Sequence, residues 1–263
     1  MNDSAGPSDA EGTARRSLRI RQLLPARDGA ADLLQLYDNS PSQYLRAGFV
    51  VSVDGRASID GRSAPLSGPA DKAVFAALRA VCDVVLVGAG TARSEDYGPV
   101  VSAPVLRQWR TQRGRSEVPP VAVVSRTLDL DPQARLFQAE ARPLILTCSA
   151  ADSGRRSALS AVATVLVVGD RDVDLPTAVA ALLERGMGRV LCEGGPTLLR
   201  KAVEQDVVDE LCLTMSPVLA GTGPSLLDGL SRTRDLQLMH LLEHDGALMA
   251  RYRLGSMREL ATK

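Results

Sequence analysis

The run RVLCEGGPTLLRKAVEQDVVDELCLTMSP (189–217) contains a complete strand–helix–strand unit. RVLC (189–192) reads as a short apolar strand, PTLLRKAVEQ (196–205) as a helix opened by proline, and DELCLTMSP (209–217) as a second strand. Proline suits the first helical turn because the N–H it lacks has no partner there. Two strands separated by a whole helix belong to a parallel sheet, since an antiparallel pair is closed by a tight turn.

The same alternation extends outward from this unit. GFVVSVD (48–54) reads as a buried strand, and PADKAVFAALRAVCD (69–83) as a helix with Val74, Ala77, Leu78 and Val81 on one apolar face. DVVLVG (83–88), PVAVVS (120–125), PLILT (143–147) and TVLVV (164–168) are continuous apolar runs, the pattern of strands covered on both faces. LPTAVAALLERG (175–186) is a helix closed by Gly186. Downstream, DLQLMHLLEH and GALMARYRL form a hairpin through Asp245 and Gly246. Upstream, LRIRQLLP (18–25) is a short strand and ADLLQLYD (31–38) a short amphipathic helix. The expectation is an α/β protein of three layers, α/β/α, with a mostly parallel mixed sheet and an antiparallel C-terminal hairpin. Residues 1–16 lack periodicity and read as a disordered tail, and no linker-like stretch divides the rest, so 17–263 is expected to be a single domain.

Composition narrows the function. Lys+Arg and Asp+Glu both number 31, a formal net charge of zero, whereas nucleic-acid binding rests on a basic surface that neutralises phosphates. The basic run RQWRTQRGR, with Arg107, Arg110, Arg113 and Arg115, reads as the solvated face of a short helix and its loop. Aromatic residues are only 3% of the chain, so valine, leucine and alanine have to fill the core. Cys82, Cys148, Cys192 and Cys212 lie in apolar runs without a CxxC pair, and read as buried thiols in a reducing compartment. His240 and His244 sit in HLLEH on an expected strand, not in HExxH on a helix, so no metal site is expected. Acyl transfer lacks its GxSxG elbow. No apolar run has the length of a secretory core or a membrane span, and the expectation is a cytoplasmic, soluble protein.

In open α/β sheets ligands bind beyond the carboxyl ends of the strands. The ends at 52–56 (SVDGR), 88–93 (GAGTAR), 125–126 (SR) and 193–197 (EGGPT) carry the chemistry here. In EGGPT, Gly194 and Gly195 let the backbone approach a ligand, and the N–H groups at the helix start attract an anion, with Thr197 adding a hydroxyl. The same residues also make a plain strand-to-helix turn, and both readings stand on the local sequence. GAGT, from Gly88 to Thr91, departs from GxGxxG and lacks the acidic residue that closes a second strand, which disfavours a standard dinucleotide fold. Ser125 and Arg126 suit a 2′-phosphate, the group that separates NADPH from NADH, or simply begin a loop. Asp54 is a carboxylate at a strand end, suited to proton transfer, or to an Asp-Gly turn.

Together, SVDGR…SGPADKAVFAALRAVCDVVLVGAGTARSED and VLCEGGPTLLRKAVEQDVVDELCLTMSPVLAGTG resemble the two halves of the reductase domain of bacterial riboflavin biosynthesis, over roughly residues 46–254. That resemblance implies a dihydrofolate-reductase-like fold and NADPH as hydride donor. It implies reduction of the ribosylamino side chain of 5-amino-6-(5-phosphoribosylamino)uracil to ribitylamino. It places Val51, Thr91, Glu95 and Ser125 by the cofactor, and Gly195, Pro196, Thr197, Leu198 and Leu199 around its pyrophosphate, and the strand-end reading above adds Gly88, Arg126 and Gly194 to the expected cofactor site. Ser63, Arg79 and Glu193 would face the pyrimidine, with Asp54 or Glu193 assisting proton transfer. It also implies a homodimer and, since the H-x-E…P-C-x-x-C zinc signature is absent, a separate deaminase. Pro65 stands where members often carry tryptophan, Glu95-Asp96-Tyr97 replaces an Asp-Asp-Pro, and 96–119 matches poorly. Two alternatives accompany this reading: a reductase of dihydrofolate or another pterin, and an NADP-binding sensor without catalysis.

Overall fold

The structure is a computed structural model, and it describes residues 18–38 and 41–259. The expected tail over 1–16 lies outside the described residues. The strands are β1 (Arg21–Leu24), β2 (Tyr44–Ser52), β3 (Val84–Gly88), β4 (Val121–Val124), β5 (Leu144–Thr147), β6 (Thr164–Val167), β7 (Arg189–Gly194), β8 (Glu210–Ser216), β9 (Arg232–His244) and β10 (Ala247–Glu259). They form a ten-stranded sheet in the order β1-β9-β10-β8-β2-β7-β3-β4-β5-β6. From β8 to β6 every pairing is parallel, and β10, β9 and β1 continue the sheet antiparallel. The α/β class, the mostly parallel mixed sheet and the closing hairpin are as the sequence predicts. The opening unit is more spread than its sequence suggests, because β2 inserts between β7 and β8 and pairs with both.

The helices are α1 (Leu33–Asp38), α2 (Pro69–Val81), α3 (Ala89–Ser94), α4 (Pro104–Thr111), α5 (Ser153–Val162), α6 (Leu175–Leu183) and α7 (Pro196–Glu204). The central strands bury alternate residues on opposite faces. Val85, Val87, Val121, Val123 and Ile145 join one core cluster with Val74, Leu78 and Val81 of α2. Val84, Leu86, Ala122, Leu144 and Leu146 join the other with Leu182 of α6 and Leu199 of α7. Each fully buried valine or leucine contributes about 1.5–3 kcal/mol, so continuous apolar runs in the centre hold both helical layers to the sheet.

Three local features go beyond the sequence reading. The GAGT segment is helical: Gly88 is the N-cap of α3, which begins directly at the end of β3. Helix α5 is absent from the expected pattern because only Leu159 of it is buried, leaving no apolar stripe to read; Asp152 caps it by accepting the Arg155 N–H at 2.7 Å. The basic run at 107–115 does form a helix and loop, but Arg110 is fully buried instead of solvated. Its Nη1 donates to the carbonyls of Arg79, Ala80 and Cys82 at 2.9, 2.9 and 2.6 Å, and its Nε to Ser116 O at 2.7 Å. A guanidinium fork thereby satisfies carbonyls that the end of α2 leaves without helical partners.

Candidate functional site

A cleft of about 670 Å³ opens beside the carboxyl-terminal halves of β2 and β7, between α2 and the segment that follows α3. Of the expected site residues, Ser63, Arg79, Thr91, Glu95, Glu193, Gly195 and Pro196 all line it. They come from four separate stretches of the chain, at 63, 79, 91–95 and 193–196, and the parallel sheet brings them together.

The cleft floor is polar and paired. Arg79, on the last turn of α2, grips Glu193 at the end of β7 with Nε–Oε1 at 2.7 Å and Nη2–Oε2 at 2.6 Å. The Glu193 side chain is only 3% exposed against 32% for Arg79, so the carboxylate is set into the wall and the guanidinium faces the opening. This bidentate geometry is the strong form of a charge pair. The Tyr97 hydroxyl donates to Glu193 Oε2 at 2.5 Å. Burial and the adjacent Glu193 carboxylate hold Tyr97 well above the usual phenol range. Glu95 stands at the lip and accepts the Ser63 backbone N–H at 2.9 Å.

The glycine turn after β7 is packed against α3. A side-chain carbon on Gly195 would lie 2.5 Å from Thr91 Oγ1, and one on Gly194, whose φ is +159°, would lie 3.0 Å from Thr91 Cγ2. Gly88 abuts the same turn, where an added side-chain carbon would lie 3.6 Å from Gly194 O. The GAGT and EGGPT segments are therefore two sides of a single contact. Helix α7 starts at Pro196, and its first closing bond runs from Leu199 N to Gly195 O at 3.0 Å. The N–H groups of Thr197 and Leu198 precede that bond and are left for a ligand.

Other expected residues sit elsewhere. Leu198 and Leu199 are buried in the core beneath α7, so only their backbone belongs to the turn. Thr197 is exposed at the helix start. Val51 is buried outside the cleft, whose wall on β2 is formed by Gly48, Phe49 and Val50. Ser125 is buried with its hydroxyl accepting the Leu128 N–H at 3.0 Å, while Arg126 beside it is exposed and helps lower the Asp172 carboxyl.

Asp54 departs most from expectation. It does not line the cleft, and it accepts bonds from Ser52 Oγ at 2.6 Å, Ala220 N at 3.0 Å and Gly221 N at 2.8 Å. These hydrogen bonds, the Ser52 hydroxyl first, hold its carboxyl far below the usual carboxylate range. An ionised acceptor tying two loops together is a poor acid or base, so its geometry is that of an Asp-Gly turn and loop clamp.

The sequence reading also missed residues. Asp71, in the first turn of α2, lines the cleft and is 2% exposed. Acidic residues are common in first turns because they favour the helix dipole, so nothing in the local pattern separates a buried one. Tyr97 lies at the start of the stretch that matches the reductase family poorly, and its neighbour Arg135 reaches the cleft mouth from a short 3-10 turn at 135–138. Among the described residues no helix is long and apolar enough to cross a membrane.

Comparison with known proteins gives consistent matches. Residues 43–249 match the model of the RibD C-terminal domain. A 2,5-diamino-6-ribosylamino-4(3H)-pyrimidinone 5′-phosphate reductase of Archaeoglobus fulgidus is 30% identical over 189 residues, 71% of this chain and 86% of that protein. The riboflavin biosynthesis protein RibD of Mycobacterium tuberculosis is 31% identical over 177 residues, 67% of this chain and 42% of that protein. A solved pyrimidine reductase-like protein of Corynebacterium diphtheriae superposes with a TM-score of 0.76 at 29% identity, covering 86% of this chain and all of that one.

Proposed function

The chain belongs to the RibD C-terminal domain family, the pyrimidine reductases of riboflavin biosynthesis, and on that premise we propose that it reduces a 5′-phosphoribosylaminopyrimidine to the ribitylamino product with NADPH. The observation that carries this reading is the single cleft in which the Arg79–Glu193 fork faces the Thr91–Gly195 contact. One side is a polar, charged wall suited to a sugar and a pyrimidine edge. The other is a glycine turn against a helix start, suited to a pyrophosphate.

The residues fit a nicotinamide dinucleotide. The narrow space at Gly195, which a side chain would close, and the N–H groups of Thr197 and Leu198 would cradle the pyrophosphate. Thr91 and Gly88 would lie alongside it. Arg126, exposed at the end of β4, would take the 2′-phosphate that distinguishes NADPH from NADH. When bound, NADPH supplies a hydride from its nicotinamide C4. The chain's own part is to position the sugar against that carbon and to keep water out. Arg79 would hold the substrate while Glu193, packed behind it, fixes the guanidinium. Ser63 and Glu95 would close the lip.

The first substrate we assign is 5-amino-6-(5-phosphoribosylamino)uracil, which requires a separate deaminase upstream. The Archaeoglobus relative favours a second, the 2,5-diamino-pyrimidinone that retains the amino group. We read residues 17–263 as one reductase domain, supported by one sheet with a core cluster on each face. A homodimer is supported by the outer edge of β9, where β1 covers only 241–243 and Leu236 and Leu238 are exposed. Sedimentation of the purified protein at the mass of a single chain would refute the dimer.

The test of function follows absorbance at 340 nm, a property of reduced nicotinamide, with NADPH and each pyrimidine in turn. Oxidation dependent on either pyrimidine is expected, and the faster one names the substrate. Oxidation with dihydrofolate alone would move the assignment to pterins, and tight NADPH binding with no oxidation would make the protein a sensor.

A further inference from the structure

We propose that Asp71 is the acid that supplies the proton consumed in the reduction, with Ser67 and Thr214 tuning it; this inference rests on the reductase reading above. Asp71 is the most deeply buried carboxyl group lining the cleft. Ser67 donates its hydroxyl to Asp71 Oδ2, and Thr214 of β8 also acts on the group, favouring its ionised form. The other oxygen, Oδ1, is buried and has no hydrogen-bond partner. Buried polar atoms are nearly always paired, so an orphan in a ligand cleft marks a group waiting for a ligand atom. A carboxylic acid whose Oδ2 accepts the Ser67 hydroxyl has its remaining oxygen free to present a proton.

Its surroundings agree with that state. The titratable and charged groups that bear on it are Arg79 of its own helix, Glu193 of β7 and Tyr37 of α1, with Ser67 and Thr214 as the neutral contacts. Burial raises its proton affinity and outweighs the opposing effects of the two hydroxyls and Arg79. The other acids of the cleft are otherwise engaged. Both Glu193 oxygens accept guanidinium N–H bonds, and Glu95 accepts the Ser63 amide. Asp96 pairs with Arg135 at the mouth.

The chemistry balances with one proton and one hydride. The Asp71 O–H bond breaks as its proton passes to the ribose ring oxygen. The bond from that oxygen to C1′ breaks toward the oxygen, and the nitrogen lone pair forms C1′=N. Hydride from the reduced nicotinamide then adds to C1′, and the π pair returns to nitrogen as the amine. Oxidised nicotinamide and ionised Asp71 remain, and Asp71 recovers its proton from solvent.

The experiment compares wild type, Asp71→Asn, Asp71→Glu and Thr214→Val in kcat against pH with both pyrimidines, alongside NADPH binding by fluorescence. The wild-type kcat is expected to fall as pH rises through the Asp71 titration. Asp71→Asn is expected to lose about 100-fold or more in kcat, together with that limb, while keeping NADPH affinity. Asp71→Glu should regain part of the rate. Thr214→Val removes a hydroxyl that favours the ionised form, so the limb should move to higher pH. Asp71→Asn with unchanged kcat and an unchanged limb would overturn the proposal and leave the reductase reading intact. If Asp71→Asn fails to bind NADPH, Thr214→Val decides, and an unmoved limb there would overturn it. Wild type that oxidises NADPH with neither pyrimidine would overturn the reading and the proposal together.

Discussion

The Tyr97 hydroxyl lies 2.5 Å from Glu193 Oε2, the same oxygen that accepts Arg79 Nη2 at 2.6 Å. Phenol, carboxylate and guanidinium thus share one atom, and the carboxylate is fixed from two sides. Removing the phenol leaves the Arg79 fork but strips a donor from a nearly unexposed oxygen. A hydrogen bond to a charged group contributes about 1.5–3 kcal/mol, so Tyr97→Phe should lower kcat/KM for the pyrimidine roughly 10- to 100-fold. NADPH affinity should stay unchanged. Equal kcat/KM for the two proteins would remove Tyr97 from the site.

Gly195→Ala tests the glycine turn. The added carbon would meet Thr91 Oγ1 at 2.5 Å, closer than van der Waals contact permits, so the α3–turn contact has to open. NADPH dissociation constants should rise at least about tenfold, a cost of roughly 1.4 kcal/mol. Gly90→Ala is the control, because nothing lies within 4 Å of its added carbon. It should bind NADPH as wild type does and stabilise α3 slightly, since alanine outranks glycine in helices. Loss of binding in both variants would point to α3 as a whole and not to the turn.

What the sequence makes legible follows from how local each signal is. Strand runs such as 84–87 and 121–124 declare burial on both faces because every residue in them is apolar. The glycine turn at 194–195 and the proline after it are likewise readable from neighbours in sequence. Arg110 is different. A run with four arginines reads as solvated, and only the end of α2, some thirty residues upstream, supplies the carbonyls that draw one of them inside. Asp71 and Tyr97 escape for the same reason. Their roles depend on Thr214 and Glu193, which the sheet brings in from far along the chain. Asp54 misleads in the opposite sense, because a carboxylate at a strand end looks catalytic until the amides at 220–221 are seen to occupy it.

Arg126→Ala addresses which nicotinamide the chain uses. Arg126 is exposed at the end of β4, next to Ser125, whose own hydroxyl is taken up by Leu128. A guanidinium–phosphate contact at that position would act on NADPH alone, since NADH has no 2′-phosphate. Titration of both cofactors by fluorescence should show NADPH weakened about tenfold or more and NADH almost unchanged. Equal losses would mean that Arg126 supports the loop and does not read the phosphate.

His240 gives the fold a pH dependence with a defined sign. It is 4% exposed, 3.3 Å from the Tyr37 hydroxyl, and beside the buried Arg46–Glu210–Arg251 cluster. Burial first, then Arg251 and Arg46, bring its pKa down to about 4. The folded protein therefore keeps this imidazole neutral over a range where the unfolded chain, titrating near about 6.5, takes up a proton. Stability is fully present above the unfolded value and falls as pH drops from about 6.5 toward the folded value. The whole loss is on the order of 3 kcal/mol. Denaturant midpoints should fall steadily across that window in wild type. His240→Gln removes the titrating group while keeping an amide near Tyr37, so its midpoint should be lower at neutral pH but much flatter across the window. A wild-type slope that survives in His240→Gln would assign the dependence to other groups, with the Glu210 carboxylate, which its two arginines hold ionised to lower pH, the next to test.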